Sequence, residues 1–388
     1  MSCKFAFVLR ATDTGRRDER VRRAVGRAVI GAAAASLVAG LAACGTPRPA
    51  AAPSASTSGA GGFTIGLLLP DTHTARWAGS DRPLIQAKVK ELCPACTVKY
   101  ANASADVATQ QQQMDSMIAN GVRVMILDPV DYKALRPSIT RAHDAGIPVV
   151  SYDRLAQGPI SAYSSYDSEQ IGRLQAEALL KAMGHMTHEP RIVMVNGDPV
   201  DPNTAALQKG ARAVFQGRAK IVKSSYTAGW IPQNAFANMS AAIAATGPGR
   251  IDGVYSANDG LAFGILTALK AEGVRPLPPI TGQDANLGAV RRIVAGEQYV
   301  TVYKSFVSEA DAAAEMAVAL GRGASIDGIA KDRVSNDTSK EIPAVLGTLT
   351  PVTVGTIKDT LVKDGVYTID QICTPALRAA CQKAGLTP

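Results

Sequence analysis

The chain contains few aromatic residues, few histidines and no apolar run long enough to predict a membrane span. Phe, Trp and Tyr together make up 5% of the 388 residues, whereas glycine and proline occur 35 and 22 times. This composition is typical of a loop-rich α/β protein, and the length leaves room for two domains of ordinary size. The four histidines show no ligand spacing against the six cysteines, which argues against a zinc site. We expect neither a metal nor a cofactor.

The net positive charge is also small once the N-terminal region is set aside. The whole chain has a formal net charge of +8. Residues 1–43 contain eight Lys or Arg and three Asp or Glu, so a net charge of only +3 remains for the rest. A folded part so nearly balanced is a poor binder of polyanions, and we therefore expect no nucleic-acid partner.

The excess positive charge precedes a short apolar stretch, residues 28–43. Six arginines lie between residues 16 and 27, just in front of it: Arg16, Arg17, Arg20, Arg22, Arg23 and Arg27. A basic region followed by a short Ala- and Gly-rich apolar region is typical of a secretory signal rather than of a membrane span. The stretch ends in Leu41-Ala-Ala-Cys44, which resembles a bacterial lipobox, where the cysteine is diacylated and becomes the mature N-terminus. The alternative is a buried helix followed by a chance cysteine.

We therefore predict a signal peptide at residues 1–43 and a lipid anchor at Cys44. Residues 45–62 are rich in Pro, Ala, Ser and Gly and contain no large apolar residue, as in a flexible tether. The predicted tether spans residues 44–62. The protein is thus expected to be secreted and held by its lipid on the outer face of the cytoplasmic membrane.

Apart from Cys3, which lies within the predicted signal peptide, the remaining cysteines lie in two close pairs. Cys93 and Cys96 are three residues apart, and Cys373 and Cys381 lie near the C-terminus. Two local disulfides are the favoured prediction, because disulfides persist in the oxidising environment that a secreted protein meets. A redox CxxC motif at the first pair stays open, although such a motif normally lies in a thioredoxin-like context.

The rest of the chain alternates strand and helix patterns in two successive sets. The predicted strands are 64–69, 97–101, 122–127 and 148–152 in the first set, and 191–196, 220–225 and 253–256 in the second. The predicted helices are 75–92, 106–120 and 135–145, then 168–182, 204–215, 233–245 and 260–271. Such βαβ units form parallel sheets with helices on both faces, and two sets imply two similar lobes.

The stretch 147–154 is the strongest single pointer to a binding site. It is a proline-led apolar strand that closes with Asp153 and Arg154. Ligands of open α/β sheets bind just beyond the carboxyl ends of the strands. A carboxylate and a five-donor guanidinium suit a ligand covered in hydroxyl groups. The alternative is a surface salt bridge at the end of a strand.

This stretch is one of several polar motifs that lie at or after the ends of predicted strands. They are Ala75-Arg-Trp77, Ser151-Tyr-Asp-Arg154, Pro199-Val-Asp-Pro-Asn203, Gly229-Trp-Ile-Pro-Gln-Asn234, Ala257-Asn-Asp259, Gly282-Gln-Asp-Ala285 and Thr301-Val-Tyr-Lys304. In residue type, order and spacing, these motifs resemble those of the monosaccharide-binding proteins of ABC transporters, in particular the xylose-binding proteins. The resemblance covers about residues 63–370. It implies ten ligand-binding residues: Arg76, Trp77, Asp153, Arg154, Asp201, Asn203, Trp230, Asn258, Asp284 and Lys304.

The resemblance also implies a fold and a function. The fold is α/β, with two Rossmann-like lobes that are joined by a three-strand hinge, as in type I periplasmic binding proteins. We assign residues 63–154 and 285–323 to the N-terminal lobe and residues 155–284 and 324–388 to the C-terminal lobe. The function would be capture of a monosaccharide, xylose first, by a monomer that delivers it to an ABC-transporter permease. The alternative is a broad-specificity aldose-binding protein that serves a sugar-sensing receptor or sensor kinase.

Two features limit the likeness to xylose-binding proteins. Pro202 stands where those proteins have a second Asn, and the stretch 69–76 is more similar to multiple-sugar-binding relatives. The motif around Trp230 again favours xylose. Because Trp77 and Trp230 are the only tryptophans and fall outside apolar runs, we expect their indoles to cover the faces of a sugar rather than to fill a core.

The N-terminal region and the polar motifs argue against two other classes of protein. A LacI-type repressor shares the two-lobed fold but begins with a helix-turn-helix, where this chain has the predicted signal and anchor. A glycosidase needs two carboxylates about 5 to 9.5 Å apart around the scissile bond. Asp153 and Asp284 are candidates for such a pair, but hydroxyl groups are their expected partners. We therefore predict that the chain is not an enzyme.

Overall fold

Short apolar runs form the central strands of the larger of two main sheets. The structure is a computed structural model that describes residues 61–387. β1 (Thr64–Leu69), β3 (Val124–Leu127) and β4 (Val149–Tyr152) are buried almost throughout. Burial on both faces is expected for parallel strands that are covered by helices on each side.

The other strands and the helices alternate along most of the chain. The remaining strands are β2 (Thr97–Asn102), β5 (Ala162–Ser165), β6 (Arg191–Val195), β7 (Lys220–Ser225), β8 (Gly253–Ser256), β9 (Thr301–Lys304), β10 (Asp332–Val334), β11 (Ile342–Leu346) and β12 (Leu349–Val352). The α-helices are α1 (Arg82–Leu92), α2 (Val107–Ala119), α3 (Arg136–Asp144), α4 (Ser168–Ala182), α5 (Pro202–Phe215), α6 (Pro232–Thr246), α7 (Asp259–Ala271), α8 (Leu287–Val294), α9 (Phe306–Gly321), α10 (Ile369–Ile372) and α11 (Arg378–Lys383). A π-helical turn, Trp77–Asp81, leads into α1.

The first lobe is built on a seven-stranded sheet with the order β10-β11-β5-β4-β3-β1-β2. Every neighbouring pair is parallel except β10 and β11. Its apolar core includes α9, whose alanines pack against α1 and the sheet. The parallel order brings the carboxyl ends of β1, β3, β4 and β5 to one edge.

The second lobe is built on the parallel strands β7-β6-β8. Bridges from β8 to Ile280 and from Gln283 to β9 continue this sheet, and β12 pairs with β9 in antiparallel fashion. A further apolar cluster joins α8 to the C-terminal segment that contains α10 and α11. The carboxyl ends of β6, β8 and β9 therefore also share one edge.

The chain passes between the lobes three times, at residues 166–167, at Ser305 and at residues 347–348. The crossovers touch one another, because the Tyr166 hydroxyl donates to the Ser305 carbonyl oxygen at 2.6 Å. Gly347 packs so closely on the Tyr166 ring that a Cβ there would lie 2.3 Å from a ring carbon. The predicted fold class, two α/β lobes joined by three strands, is confirmed.

The predicted lobe boundaries, in contrast, do not follow the observed sheets. β5 lies within the range 155–284, which was assigned to the C-terminal lobe, yet it pairs with β4 in the first sheet. β10 and β11 lie within 324–388 and also belong to the first sheet, whereas β9 lies within 285–323 and belongs to the second. The boundary after residue 154 was placed too early because β5 was not recognised as a strand. Its sequence, Ala-Tyr-Ser-Ser, contains no apolar run.

Both predicted pairs of cysteines are joined as disulfides, Cys93 with Cys96 and Cys373 with Cys381. The predicted signal peptide, the predicted lipidation site Cys44 and all but the last two residues of the predicted tether lie outside the described residues. In the part of the chain from 61 to 387, no helix combines the length and the apolar character needed to cross a bilayer.

Candidate ligand-binding site

A cleft with an empty volume of about 450 Å³ lies where the two sets of strand ends face each other. This volume includes space that is open to solvent. All ten side chains that the sequence predicts as ligand-binding residues line this cleft: Arg76, Trp77, Asp153, Arg154, Asp201, Asn203, Trp230, Asn258, Asp284 and Lys304. The sequence analysis missed six further lining residues: Thr74, Ser165, Tyr166, Ser168, Ile171 and Gln283.

Asp153 lies in a tight turn directly after β4. Its φ of +55° is in the left-handed region, and the hydroxyls of Tyr163 and Ser165 hold its carbonyl oxygen at 2.8 and 2.7 Å. The turn presents the Asp153 carboxylate to both lobes. Its Oδ2 accepts from Arg76 Nη1 at 2.7 Å in the first lobe, and its Oδ1 accepts from Asn203 Nδ2 at 3.1 Å in the second.

Asp153 is ionised in this setting. Burial by itself raises the pKa of the Asp153 carboxyl, but the positive charges of Lys304 and Arg76 outweigh that effect and hold it below its usual range. Lys304 Nζ lies 3.5 Å from Asp153 Oδ2 and 3.3 Å from Asp284 Oδ1. Burial lowers the pKa of Lys304, but these two carboxylates raise it above its ordinary value. An ionised Asp153 can accept hydrogen bonds from ligand hydroxyls, but it cannot act as the general acid of a glycosidase.

Arg76 is fixed by the carboxylates of Asp81 and Glu309. It forms a two-pronged contact with Asp81, with Nε and Nη2 donating at 3.0 and 2.6 Å, and Nη2 also donates to Glu309 Oε2 at 2.6 Å. Its guanidinium lies between the rings of Trp77 and Phe306, 4.5 and 4.2 Å from their centroids. These contacts leave Arg76 little freedom, so its donors are already oriented towards the cleft.

The side chains of Asp81 and Glu309 were not singled out by the sequence analysis. Both are buried, and burial raises the pKa of the Glu309 carboxyl even though Arg76 opposes the shift. Asp81 lies five residues after Arg76, at the end of the π-helical turn. This short separation in sequence could have indicated Asp81 as a partner of Arg76. Glu309 is 233 residues away on α9, so only tertiary packing brings it to Arg76.

Arg154 is a buried residue of the cleft lining. Its Nη1 donates to the Pro129 carbonyl oxygen at 3.0 Å, and its Nε lies 2.8 Å from Asp201 Oδ2 in the other lobe. Asp128 is buried beside it, with Oδ1 3.5 Å from the same Nε. Burial raises the pKa of Asp128 well above its ordinary value, despite the opposing charge of Arg154. Arg154 is therefore held by groups from both lobes.

Each indole of the cleft is anchored by one carboxylate. Trp77 Nε1 donates to Asp71 Oδ2 at 3.2 Å, and Trp230 Nε1 donates to Asp201 Oδ2 at 3.0 Å. The Asp71 side chain also caps the turn that leads to Arg76, accepting from the backbone N–H groups of residues 73 and 74. Both tryptophans are buried, at 3% and 8% exposure, and both line the cleft.

The position of Trp230 depends on glycines. It has a φ of +54° and follows Gly229, which also has a positive φ of 66°. A Cβ on Gly197 would lie 2.1 Å from the Trp230 ring, so only glycine allows the indole to reach this place. Asp201, the N-cap of α5, accepts from the Asn203 backbone N–H at 2.8 Å and thereby fixes the helix start that carries Asn203.

The remaining polar groups come from strand ends of the second lobe. Asn258 is the N-cap of α7, and its Nδ2 lies 3.5 Å from Asp284 Oδ2. Asp284 has a φ of +95°, and its backbone N–H donates to the carbonyl oxygen of residue 302 on β9. The cleft thus combines two indole faces with carboxylates, amides and cations around a rim. This is the chemistry that a polyhydroxylated ring with apolar faces requires.

Comparison with known proteins agrees with this architecture. Residues 65–325 match the family model described as a periplasmic binding protein domain. The D-xylose-binding periplasmic protein of Escherichia coli is 35% identical over 309 residues, which cover 78% of this chain and 90% of that protein. The multiple sugar-binding periplasmic receptor ChvE of Rhizobium radiobacter is 29% identical over 331 residues, covering 80% and 92%.

A solved structure shares the fold over most of the chain. It is an ABC transporter solute binding protein from Clostridium phytofermentans with bound β-D-glucose, with a TM-score of 0.73 and 26% identity. The match covers 80% of this chain and 99% of that structure. The family match, the relatives and the two-lobed fold lead to one conclusion: the chain belongs to the periplasmic binding protein family, whose members are solute-binding proteins and not enzymes.

Proposed function

We propose that the protein captures a monosaccharide, D-xylose first, between its two lobes and delivers it to the permease of an ABC importer. The observation that carries this proposal is the pair of indoles, one from each lobe, at a cleft whose rim is charged and hydrogen-bonding. An indole covers the C–H face of a pyranose over a large area. Carboxylates accept hydrogen bonds from the sugar hydroxyls, and arginine and lysine donate hydrogen bonds to the oxygen atoms of the sugar.

Hinge closure would provide the dry environment in which such bonds are strong. The three crossovers are short and lie against one another, which suits a rotation of the lobes as rigid bodies. In a closed cleft each hydrogen bond to a charged group contributes about 1.5–3 kcal/mol. The ligand roles of Arg76, Asp153, Asn258, Asp284 and the other predicted residues belong to this proposal.

The choice of xylose rests on the relatives and on the motif around Trp230. A protein named for D-xylose binding is 35% identical across nearly its full length. The likeness to a multiple sugar-binding receptor supports the second candidate, a broad-specificity aldose-binding protein that hands its sugar to a receptor or sensor kinase. Further parts of the proposal are a secretory signal at residues 1–43, a lipid anchor at Cys44 and a monomeric state.

Calorimetric titration of the folded part with a panel of monosaccharides tests the proposal. The panel contains D-xylose, L-arabinose, D-ribose, D-glucose and D-galactose. The proposal predicts one bound sugar per chain and the tightest binding for D-xylose. Comparable affinity for several aldoses would favour the broad-specificity candidate, and absence of binding to all five would contradict both.

A further inference from the structure

Asp128 is a buried carboxylic acid beside the cleft and is not one of the ten predicted ligand-binding residues. It directly follows β3, its side chain is fully buried, and its Oδ1 lies 3.5 Å from Arg154 Nε. Within residues 61–387, neither of its carboxylate oxygens accepts a hydrogen bond. A buried polar group without a partner is costly, so we expect Asp128 to be paired in another state of the protein.

Arg154 is the group with which Asp128 can pair. β3 and β4 are neighbouring parallel strands, with Leu127 opposite Ser151, so Asp128 and Arg154 lie at adjacent strand ends of the first lobe. In this structure Arg154 Nε is closer to Asp201 Oδ2 of the other lobe, at 2.8 Å. The Nε–H bond is not aligned for a hydrogen bond with either carboxylate. Charge alone holds Nε, so the guanidinium can turn from one carboxylate to the other.

Two other carboxylates of the first lobe near Arg154 already have partners. Both oxygens of Asp71 accept hydrogen bonds within its own turn, from an indole and from two backbone N–H groups. Asp153 Oδ2 accepts from a guanidinium of the same lobe at 2.7 Å. When the lobes separate as rigid bodies, Asp201 moves away with the second lobe. Asp128 then remains as the unpaired carboxylate beside Arg154.

The surroundings of Asp128 favour its neutral form while the lobes are together. Burial raises the pKa of its carboxyl well above the ordinary value, although the positive charge of Arg154 opposes the shift. The carboxylates of Asp153 and Asp201 raise this pKa further, and Arg76 lowers it. The amide that α2 places here is uncharged and donates to the backbone carbonyl oxygen of residue 128 at 2.8 Å. Opening of the lobes removes one of these carboxylates and part of the burial, and both changes lower the pKa.

We propose that Asp128 is a positioning residue, which pairs with Arg154 when the lobes are open and releases it to Asp201 when they close on a sugar. On closure Asp128 takes up a proton from the solvent. The inference rests on the proposed function, because it requires closure around a ligand. The closed form then holds one more proton than the open form, so sugar binding becomes tighter as the pH falls between the pKa values of Asp128 in the two forms.

Calorimetric titration with D-xylose in two buffers of different ionisation enthalpy tests this proposal. The difference between the two heats gives the number of protons that are taken up on binding. We expect the wild type to take up about one proton more per bound sugar than Asp128→Asn does. The comparison with the variant is needed because Glu309 and Asp259, with pKa values raised to about 8 and about 7, titrate in the same range in both proteins.

The affinity of Asp128→Asn provides a second readout. The amide cannot ionise, so the variant lacks the charge pair of the open form and closes without taking up this proton. We expect it to bind D-xylose at least about tenfold more tightly than the wild type at about pH 8, and the difference should shrink towards about pH 5. A residue that only supported the closed structure would instead weaken binding when changed.

Asp115→Asn is the matched control. Asp115 is an exposed carboxylate of α2 that also faces an arginine of the first lobe, Arg141 at 2.8 Å, and it does not line the cleft. Its affinity for D-xylose and its proton uptake should equal those of the wild type.

The outcomes separate this inference from the proposed function. If D-xylose binds without proton uptake in the wild type, the exchange of partners is wrong and the monosaccharide proposal stands. The same holds if Asp128→Asn takes up as many protons as the wild type or binds more weakly at every pH. The proton count of the wild type decides the matter even if the variant does not fold. If none of the sugars in the panel binds, both proposals are contradicted.

Discussion

The guanidinium of Arg154 lies 2.8 Å from the carboxylate of Asp201, and these two residues belong to different lobes. Asp201 holds the indole of Trp230, while on the other side of Arg154 the carboxylate of Asp71 lies 4.0 Å away and holds the indole of Trp77. Arg154 is therefore placed between the anchors of the two aromatic rings. One cation can align both stacking surfaces when the lobes approach each other.

Asp201→Asn tests this link while preserving the local structure. Asparagine is as good an N-cap as aspartate, so α5 should still begin at its present residue. The buried charge pair with Arg154 is lost, however. We expect the affinity for sugar to fall about 10- to 150-fold, the equivalent of one charge-assisted hydrogen bond, as measured by calorimetric titration.

Asp106→Asn is the matched control for this variant. Asp106 also caps a helix, α2, but it is exposed and lies outside the cleft. The control should bind sugar as the wild type does. Equal affinity in Asp201→Asn and Asp106→Asn would show that the contact between the lobes contributes nothing to binding.

Sugar binding should change the tryptophan fluorescence directly. The chain has two tryptophans, and both line the cleft, so all indole emission comes from the site. We expect a saturable change in emission on titration with D-xylose, because a ligand that stacks on an indole alters its surroundings. Trp77→Phe and Trp230→Phe should each remove part of that change. A signal that depends on one tryptophan alone would contradict contact with both lobes.

Ten of the sixteen lining residues were predictable, because each lies at or after the end of a strand in a motif that resembles those of sugar-binding proteins. Asp153 and Arg154, for example, come directly after the apolar run of β4. Glu309 was not predictable, because it lies in an alanine-rich helix and reaches Arg76 only through the packing of α9. β5 and β10 were missed for a different reason. Their sequences, Ala-Tyr-Ser-Ser and Asp-Arg-Val, show no apolar pattern, and only pairing with neighbouring strands makes them strands.

Asp259 should make stability depend on pH. Burial raises the pKa of its carboxyl to about 7, whereas an unfolded aspartate has a pKa of about 4. Between these values the folded protein holds a proton that the unfolded chain has released. The free energy of unfolding should therefore fall as the pH rises through this window, by up to about 1.4 kcal/mol per pH unit from this group.

Asp259→Asn removes this titration, and denaturant unfolding between about pH 4 and pH 8 detects its loss. The variant has a lower absolute stability, because the side chain accepts hydrogen bonds from Gln298 and Thr301. Its stability relative to the wild type should nevertheless increase with pH across the window. A constant difference at all pH values would mean that Asp259 is ionised in the folded protein throughout.

The proposed lipid anchor is tested by Cys44→Ser in cells. A serine cannot form the thioether to the diacylglycerol, so the variant should leave the membrane fraction or accumulate as an uncleaved precursor. Fractionation and immunoblotting measure both outcomes. Retention in the membrane with normal processing would contradict the lipobox assignment, even if sugar binding is intact.

The central claim is that carboxylates from both lobes hold one sugar, and titration of D-xylose into Asp153→Asn and Asp284→Asn tests it most directly. Asp153 belongs to the first lobe and Asp284 to the second, and Lys304 lies between them. Each variant leaves buried donors without their charged acceptor, at a cost of about 2–5 kcal/mol of binding, or about 30- to 4,000-fold in Kd. We predict one bound sugar per chain in the wild type and a loss of this size in both variants. Unchanged affinity in either variant would contradict the claim.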